Sequence, residues 1–164
     1  MSDWSEYNLY NTESFNFNDL ETTARCIRIY DGDTIFIVLN IPGTKMYYKW
    51  SCRLNGIDSF EIKNTNEALK NKAHEALLFV YNFITKKEVP DVQDTKKFIE
   101  DDLNKNIYLI NIKCGKFDKF GRILIDVLQD NVNLSDLLIE NKLAYPYYGK
   151  TKLNQDEQLM FIME

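Results

Sequence analysis

Thr22-Thr23-Ala24-Arg25-Cys26-Ile27-Arg28-Ile29 is followed by Tyr30-Asp31-Gly32-Asp33 and then by Thr34-Ile35-Phe36-Ile37-Val38-Leu39. Two short runs rich in Ile, Val, Thr and Phe, separated by turn-forming residues, predict a β-hairpin. Asn40-Ile41-Pro42-Gly43 supplies the next turn. Beyond it Tyr48, Trp50, Cys52 and Leu54 alternate with Lys49, Ser51, Arg53 and Asn55, the period of a third strand with one apolar face. Arg53 falls on the other face.

The period changes between Asn64 and Ile84, where Leu69, Ala73, Ala76, Leu77, Val80 and Ile84 share one helical stripe, with Asn64 and Glu67 at capping-box spacing. Residues 85–106 then turn charged and aperiodic, with Lys86-Lys87-Glu88 at one end and Glu100-Asp101-Asp102 at the other, and read as a surface insertion holding at most a short helix. Ile107 to Lys113 and Arg122 to Leu128 read as two further strands, joined by the basic loop Cys114 to Gly121. Asn133 stands as an N-cap before a short helix with Leu134, Leu137 and Leu138. Five strands and two principal helices in the order βββαββα give an α+β domain over residues 21–150. That order is compatible with a Greek-key OB barrel, which closes its own edges, although periodicity alone does not choose the barrel over an open sheet.

The flanks are less periodic. Residues 1–20 hold Trp4, Tyr7, Phe15 and Phe17 among Asn, Ser, Asp and Glu and read as an arm. Such an arm is either disordered or docked on the body or on a second copy, so monomer and homodimer both stay open. Residues 151–164 read as a tail with helical character.

Composition limits the function. The 164 residues carry 20 Lys and Arg against 25 Asp and Glu, a net charge of −5, and the pI is near 5.0. A protein that coats nucleic acid by neutralising phosphates would have the opposite balance. No run approaches the roughly 18 uninterrupted apolar residues of a membrane span. The start Met1-Ser2-Asp3-Trp4-Ser5-Glu6 is acidic and polar, unlike a secretory leader, which leads to the expectation of an intracellular protein. Cys26, Cys52 and Cys114 have no paired metal spacing and are expected to be reduced and buried. His74, the only histidine, lies beside the apolar stripe of the long helix and is expected to be structural or solvated.

Three segments hold most polar residues that the strand pattern leaves unexplained: Asp31-Gly32-Asp33-Thr34, Arg53-Leu54-Asn55-Gly56-Ile57-Asp58-Ser59-Phe60-Glu61, and Asp118-Lys119-Phe120-Gly121-Arg122. Together with Leu143-Ala144-Tyr145-Pro146-Tyr147 they make residues 22–150 resemble the staphylococcal nuclease family, also called thermonuclease or micrococcal nuclease. The resemblance implies an OB barrel with packed helices and one bound calcium ion. It implies that Asp33 and Asp58 ligate the ion by carboxylate and Ser59 by its backbone carbonyl, with Asp31 and Glu61 reaching the metal's waters. It further implies that Arg53 and Arg122 bind phosphate and that Glu61 is the usually proposed general base. Lys119, Tyr145 and Tyr147 fall where the family contacts nucleic acid, and Tyr148 adds a ring; the plain alternative for these tyrosines is a packed C-terminal segment.

The chemistry of the residues agrees. Calcium takes carboxylate and carbonyl oxygens together with water. A divalent ion and two planar guanidinium forks would absorb the charge of a pentacoordinate phosphate. A site of phosphate clamps and stacking rings has little means of reading bases. The expected activity is therefore divalent-metal-dependent, sugar-tolerant endonucleolytic hydrolysis, to which the resemblance adds calcium as the ion and DNA and RNA as joint substrates; the rivals are a nuclease-like binding module without turnover and a plain OB-type single-strand binder. The chain departs from the family at Ser59-Phe60, at Phe120 in place of a frequent tyrosine, at Lys142 in place of a glycine, and in the length of 85–106.

Overall fold

The first hairpin forms where its sequence places it: β1 (Glu21–Ile29) pairs antiparallel with β2 (Thr34–Asn40), which pairs with β3 (Tyr47–Leu54). The structure is a computed structural model that describes residues 3–164. After the short β4 (Ile57–Ser59) come α1 (Glu67–Thr85) and α2 (Thr95–Lys105), then β5 (Leu109–Phe117) and β6 (Ile123–Gln129). β7 (Val132–Asn133), α3 (Leu134–Glu140), β8 (Ala144–Pro146) and α4 (Gln155–Met163) complete the chain. β5 lies between β1 and β6, and β6 turns back to pair in parallel with β3 through Cys52↔Ile123 and Leu54↔Ile125. That pairing closes a barrel of five strands, β1, β2, β3, β5 and β6, accompanied by four α-helices among the described residues, an α+β architecture compatible with an OB-fold.

Alternation fills the barrel. Ala24, Cys26 and Ile29, Ile35, Ile37 and Leu39, Cys52 and Leu54, Ile110, Ile112 and Cys114, and Ile123, Ile125 and Val127 all point inward and are buried. Burial pushes the thiols of Cys26 and Cys114 up to about 12 and about 11, so they stay protonated fillers. Every residue of the expected helical stripe, Leu69, Ala73, Ala76, Leu77, Val80 and Ile84, is buried along α1, whereas His74 is exposed. The helix starts two residues later than the sequence suggests: Asn66 is the N-cap, accepting from the N–H groups of Ala68 and Leu69, while Asn64 caps the turn before it. β5 also runs past its expected end to Phe117, because a register shift after Cys114 lets Phe117 pair with Ile123.

Residues 85–106 are not a mere surface insertion. α2 packs along β1 and buries Ile99 and Leu103 in the main core, with its charges turned outward. Its Asp102 accepts hydrogen bonds at 2.8 Å from the hydroxyls of Tyr81 on α1 and Tyr108 before β5, and from Asn106. Burial works against the charged form, but these donors and the Lys87 ammonium hold the Asp102 carboxyl below its ordinary value. A depressed folded value contributes stability above the unfolded pKa of roughly 4 and loses it as pH falls through the folded one. Asp102→Asn is therefore expected to lower the thermal midpoint at pH 7 and to differ progressively less from the parent chain in thermal scans taken toward pH 3.

The arm is neither free throughout nor wholly docked. Phe17 is buried edge-on against Trp50 of β3, with ring centroids 5.0 Å apart, and lies 6.0 Å from Phe117. Trp4, Tyr7, Tyr10 and Phe15 stay exposed. The C-terminal residues form α4, whose Leu159, Phe161 and Ile162 pack on a second cluster of Phe60, Leu69, Ala73 and Tyr145. No helix among the described residues is long and apolar enough to cross a membrane.

Gly32 sets how closely the β1–β2 turn meets α1. A Cβ there would stand 2.7 Å from the Ala76 Cβ and 3.0 Å from the Ser59 Cβ, neither of which can swing aside. Gly32→Ala is expected to cost about 1–3 kcal/mol by overpacking, read as a lower denaturant midpoint at unchanged slope.

Candidate functional site

The β1–β2 turn, the end of β3 with β4, and the β5–β6 turn come together at one end of the barrel. They line an open groove of about 630 Å³ that holds Asp31, Asp33, Arg53, Asp58, Ser59, Glu61 and Arg122. Lys119 stands exposed on the β5–β6 turn beside Phe120, a rim residue of the groove.

Each side chain has a local cause for its place. Asp31 accepts from the backbone N–H groups of Asp33 and Thr34 at 3.0 and 2.9 Å, an Asx turn that folds the segment and leaves its carboxyl beside that of Asp33. Asp33 accepts from the Thr34 hydroxyl at 2.8 Å and from the Ser59 N–H at 3.0 Å, which ties the turn to β4. Arg53 lies off the apolar face as its alternation requires, yet it is only 8% exposed, held among Ile57 and Asp58 of β4, Asp33 and the Tyr147 ring. Its Nη2 donates to Asp58 Oδ1 at 2.5 Å and to the Ile57 carbonyl at 3.2 Å, and stands 3.5 Å from Asp33 Oδ2. Arg122 donates from Nε to Asp118 Oδ2 at 2.7 Å, and its terminal nitrogens have no protein hydrogen bond among the described residues. Glu61, just beyond β4, is exposed at the groove wall.

Electrostatics divides the acids. Burial, then the neighbouring Asp33 carboxylate, push Asp31 well above the usual range. Burial also works against the charge on Asp33, but the Arg53 guanidinium, with hydrogen bonds from Asp31, Ser59 and Thr34, holds it below that range. Burial opposes the charge on Arg53 as well, and the two aspartates outweigh it and raise its pKa.

The donors fit a hard divalent cation bound mostly through water. The half-buried Asp31 and buried Asp33 carboxyls would repel one another if both were ionised, and a cation between them would relieve that. Asp58 is already engaged by cations of the chain, and no three His, Cys, Asp or Glu side chains form a cage among the described residues. An ion here would take few protein oxygens and keep open positions.

Two expectations for the aromatics part company. Tyr145 is 1% exposed and presents no face for a base to stack on; β8 pairs with β4 at Tyr145↔Asp58, and the phenol donates to Asp58 Oδ2 at 2.5 Å. Burial and that bond raise the phenol's pKa. Tyr147 is half-buried with the Arg53 guanidinium 5.4 Å from its ring centre, and Tyr148 is exposed. The groove also holds residues that the motifs do not mark: Tyr30, Phe36, Ser51 and Lys152, whose Nζ lies 3.3 Å from Asp58 Oδ1. Lys152 sits in a polar stretch with no period, where nothing in the sequence separates it from a solvated lysine. No family model and no curated protein matches the chain.

Proposed function

We propose that this groove hydrolyses phosphodiester bonds of DNA and RNA with the help of calcium, as the resemblance to the staphylococcal nucleases implies. The observation that carries the reading is the convergence, from three separated segments, of two arginines and four carboxyl groups on one open groove. Asp33 and Asp58 would hold the ion, with Ser59 beside them and Asp31 behind. A bound divalent ion supplies charge withdrawal from the phosphate and more acidic water. Arg122 offers two free terminal nitrogens to the phosphate oxygens, and Arg53 adds a buried guanidinium beside Asp33 and Asp58. Glu61, exposed at the wall, accepts a proton from the attacking water. Lys119 attracts the strand, and Tyr147 and Tyr148 give it rings to lie against, none of which reads a base.

One observation favours the rival without turnover: Arg53 is already bonded to Asp58 and close to Asp33, so the acidic site is neutralised by the chain itself. Incubating the purified protein with plasmid and with single-stranded oligonucleotides, in calcium and in chelator, separates the readings. Cleavage in calcium alone is expected. Binding that ignores the chelator, with no cut product, would instead establish a binding module.

A further inference from the structure

Asp58 carries more positive charge than one buried carboxylate needs. Its Oδ1 meets Arg53 Nη2 at 2.5 Å and Lys152 Nζ at 3.3 Å, while its Oδ2 accepts the Tyr145 hydroxyl. The two cations are not alike. The Arg53 side chain is 9% exposed and fixed by further contacts to Asp33 and Ile57, whereas the Lys152 side chain is 54% exposed and has no other ion-pair partner among the described residues.

Lys152 is nevertheless held in place by its backbone. Before it, the Tyr147 N–H donates to the Gly56 carbonyl at 2.9 Å. After it, Leu153 packs on the second cluster and Asn154 closes a capping box with Glu157 at the start of α4. The ammonium also lies 5.8 Å from the centre of the Tyr147 ring, which carries Arg53 as well.

We propose that Lys152 is a displaceable counter-cation of the site. It neutralises Asp58 while the divalent ion is away, yields that carboxylate when the ion binds, and then holds a phosphate of the strand next to the one attacked. The proposal rests on the nuclease reading and adds a residue to it. A lysine suits the part because it is a flexible point charge whose exposed ion pair is weak, whereas Arg53 is a buried planar fork.

Calcium binding to the full chain, measured by titration calorimetry without nucleic acid, tests the first step. Lys152→Met is expected to bind calcium about two- to fivefold more tightly, since a competing charge has gone, and Lys152→Arg to stay near the parent. A lysine that merely supported the fold would loosen the site when replaced and weaken calcium binding, the opposite sign. Single-turnover cleavage at saturating calcium tests the second step. Lys152→Met is expected to keep its maximal rate, to need about threefold more enzyme for half of it, and to lose about one phosphate contact from the salt dependence. Lys152→Arg should restore both. Equal or weaker calcium binding by Lys152→Met, beside a parent that binds calcium and cleaves, overturns the proposal and leaves the nuclease reading standing. A parent that neither binds calcium nor cleaves overturns both.

Discussion

Arg122→Lys is expected to slow single-turnover cleavage about a hundredfold at saturating calcium, with the fold unchanged. The geometry explains why charge alone is not enough. The Asp118 carboxylate is fixed by the N–H groups of Phe120 and Arg122 at 2.8 and 3.0 Å, and it receives Nε of Arg122 at 2.7 Å. Burial tends to raise Asp118, but those bonds and the guanidinium hold it below the usual range, so the tether stays ionised at neutral pH. The guanidinium plane is thus set before substrate arrives, leaving two terminal nitrogens for a phosphate. Lysine has no Nε and no fork, so it loses the tether and the second donor together. Substrate affinity should change much less than the rate, because the interaction is strongest when the phosphate carries its extra charge. The side chain is 25% exposed, so the exchange should leave the thermal midpoint nearly where it was. A rate within about threefold of the parent would return Arg122 to the role of a solvated strand residue.

What the sequence makes legible follows from period. Ile35, Ile37 and Leu39 alternate strictly, and the α1 stripe recurs at three and four residues, so hairpin and helix can be read directly. Closure of the barrel cannot be read this way, since the parallel pairing of Cys52 with Ile123 joins segments with no local relation. α2 hides for a different reason: among eleven residues only Phe98, Ile99 and Leu103 are apolar, too few to stand out from the charges around them. The same division runs through the site. Asp31, Asp33, Arg53, Asp58, Glu61 and Arg122 lie in compact motifs, and the fold brings them to one groove. Tyr145 reaches Asp58 through the pairing of two three-residue strands, β4 and β8, which are too short to show a period, and Lys152 reaches it from the aperiodic stretch after β8. Tyr145 illustrates the consequence, because its motif suggests a stacking ring and its burial makes it a hydrogen-bond donor beneath the site.

The largest change in stability is expected from Arg53→Met. Methionine fills most of the volume but removes the charge that faces Asp58 at 2.5 Å and Asp33 at 3.5 Å. Both aspartates are buried, and Asp31 already crowds Asp33, so the variant leaves carboxylates out of water without their main counter-ion. Breaking one side of a buried pair in this way costs about 3–5 kcal/mol, more than most single substitutions. Lys152 remains on Asp58 and offsets part of that cost, while Asp33 keeps its bonds from Thr34 and Ser59 but loses its cation. Equilibrium unfolding in chelator measures the loss. Calcium should then act in the opposite direction: it binds the folded groove and not the open chain, and in the variant it no longer competes with a guanidinium. The gain in unfolding free energy on adding calcium is therefore expected to be larger for Arg53→Met than for the parent, even though cleavage is lost. A general packing defect would lower stability equally with and without calcium. If the drop were under about 1 kcal/mol, the buried ion pairs would not be the restraint described here; if calcium stabilised parent and variant equally, Arg53 would not share its carboxylates with the ion.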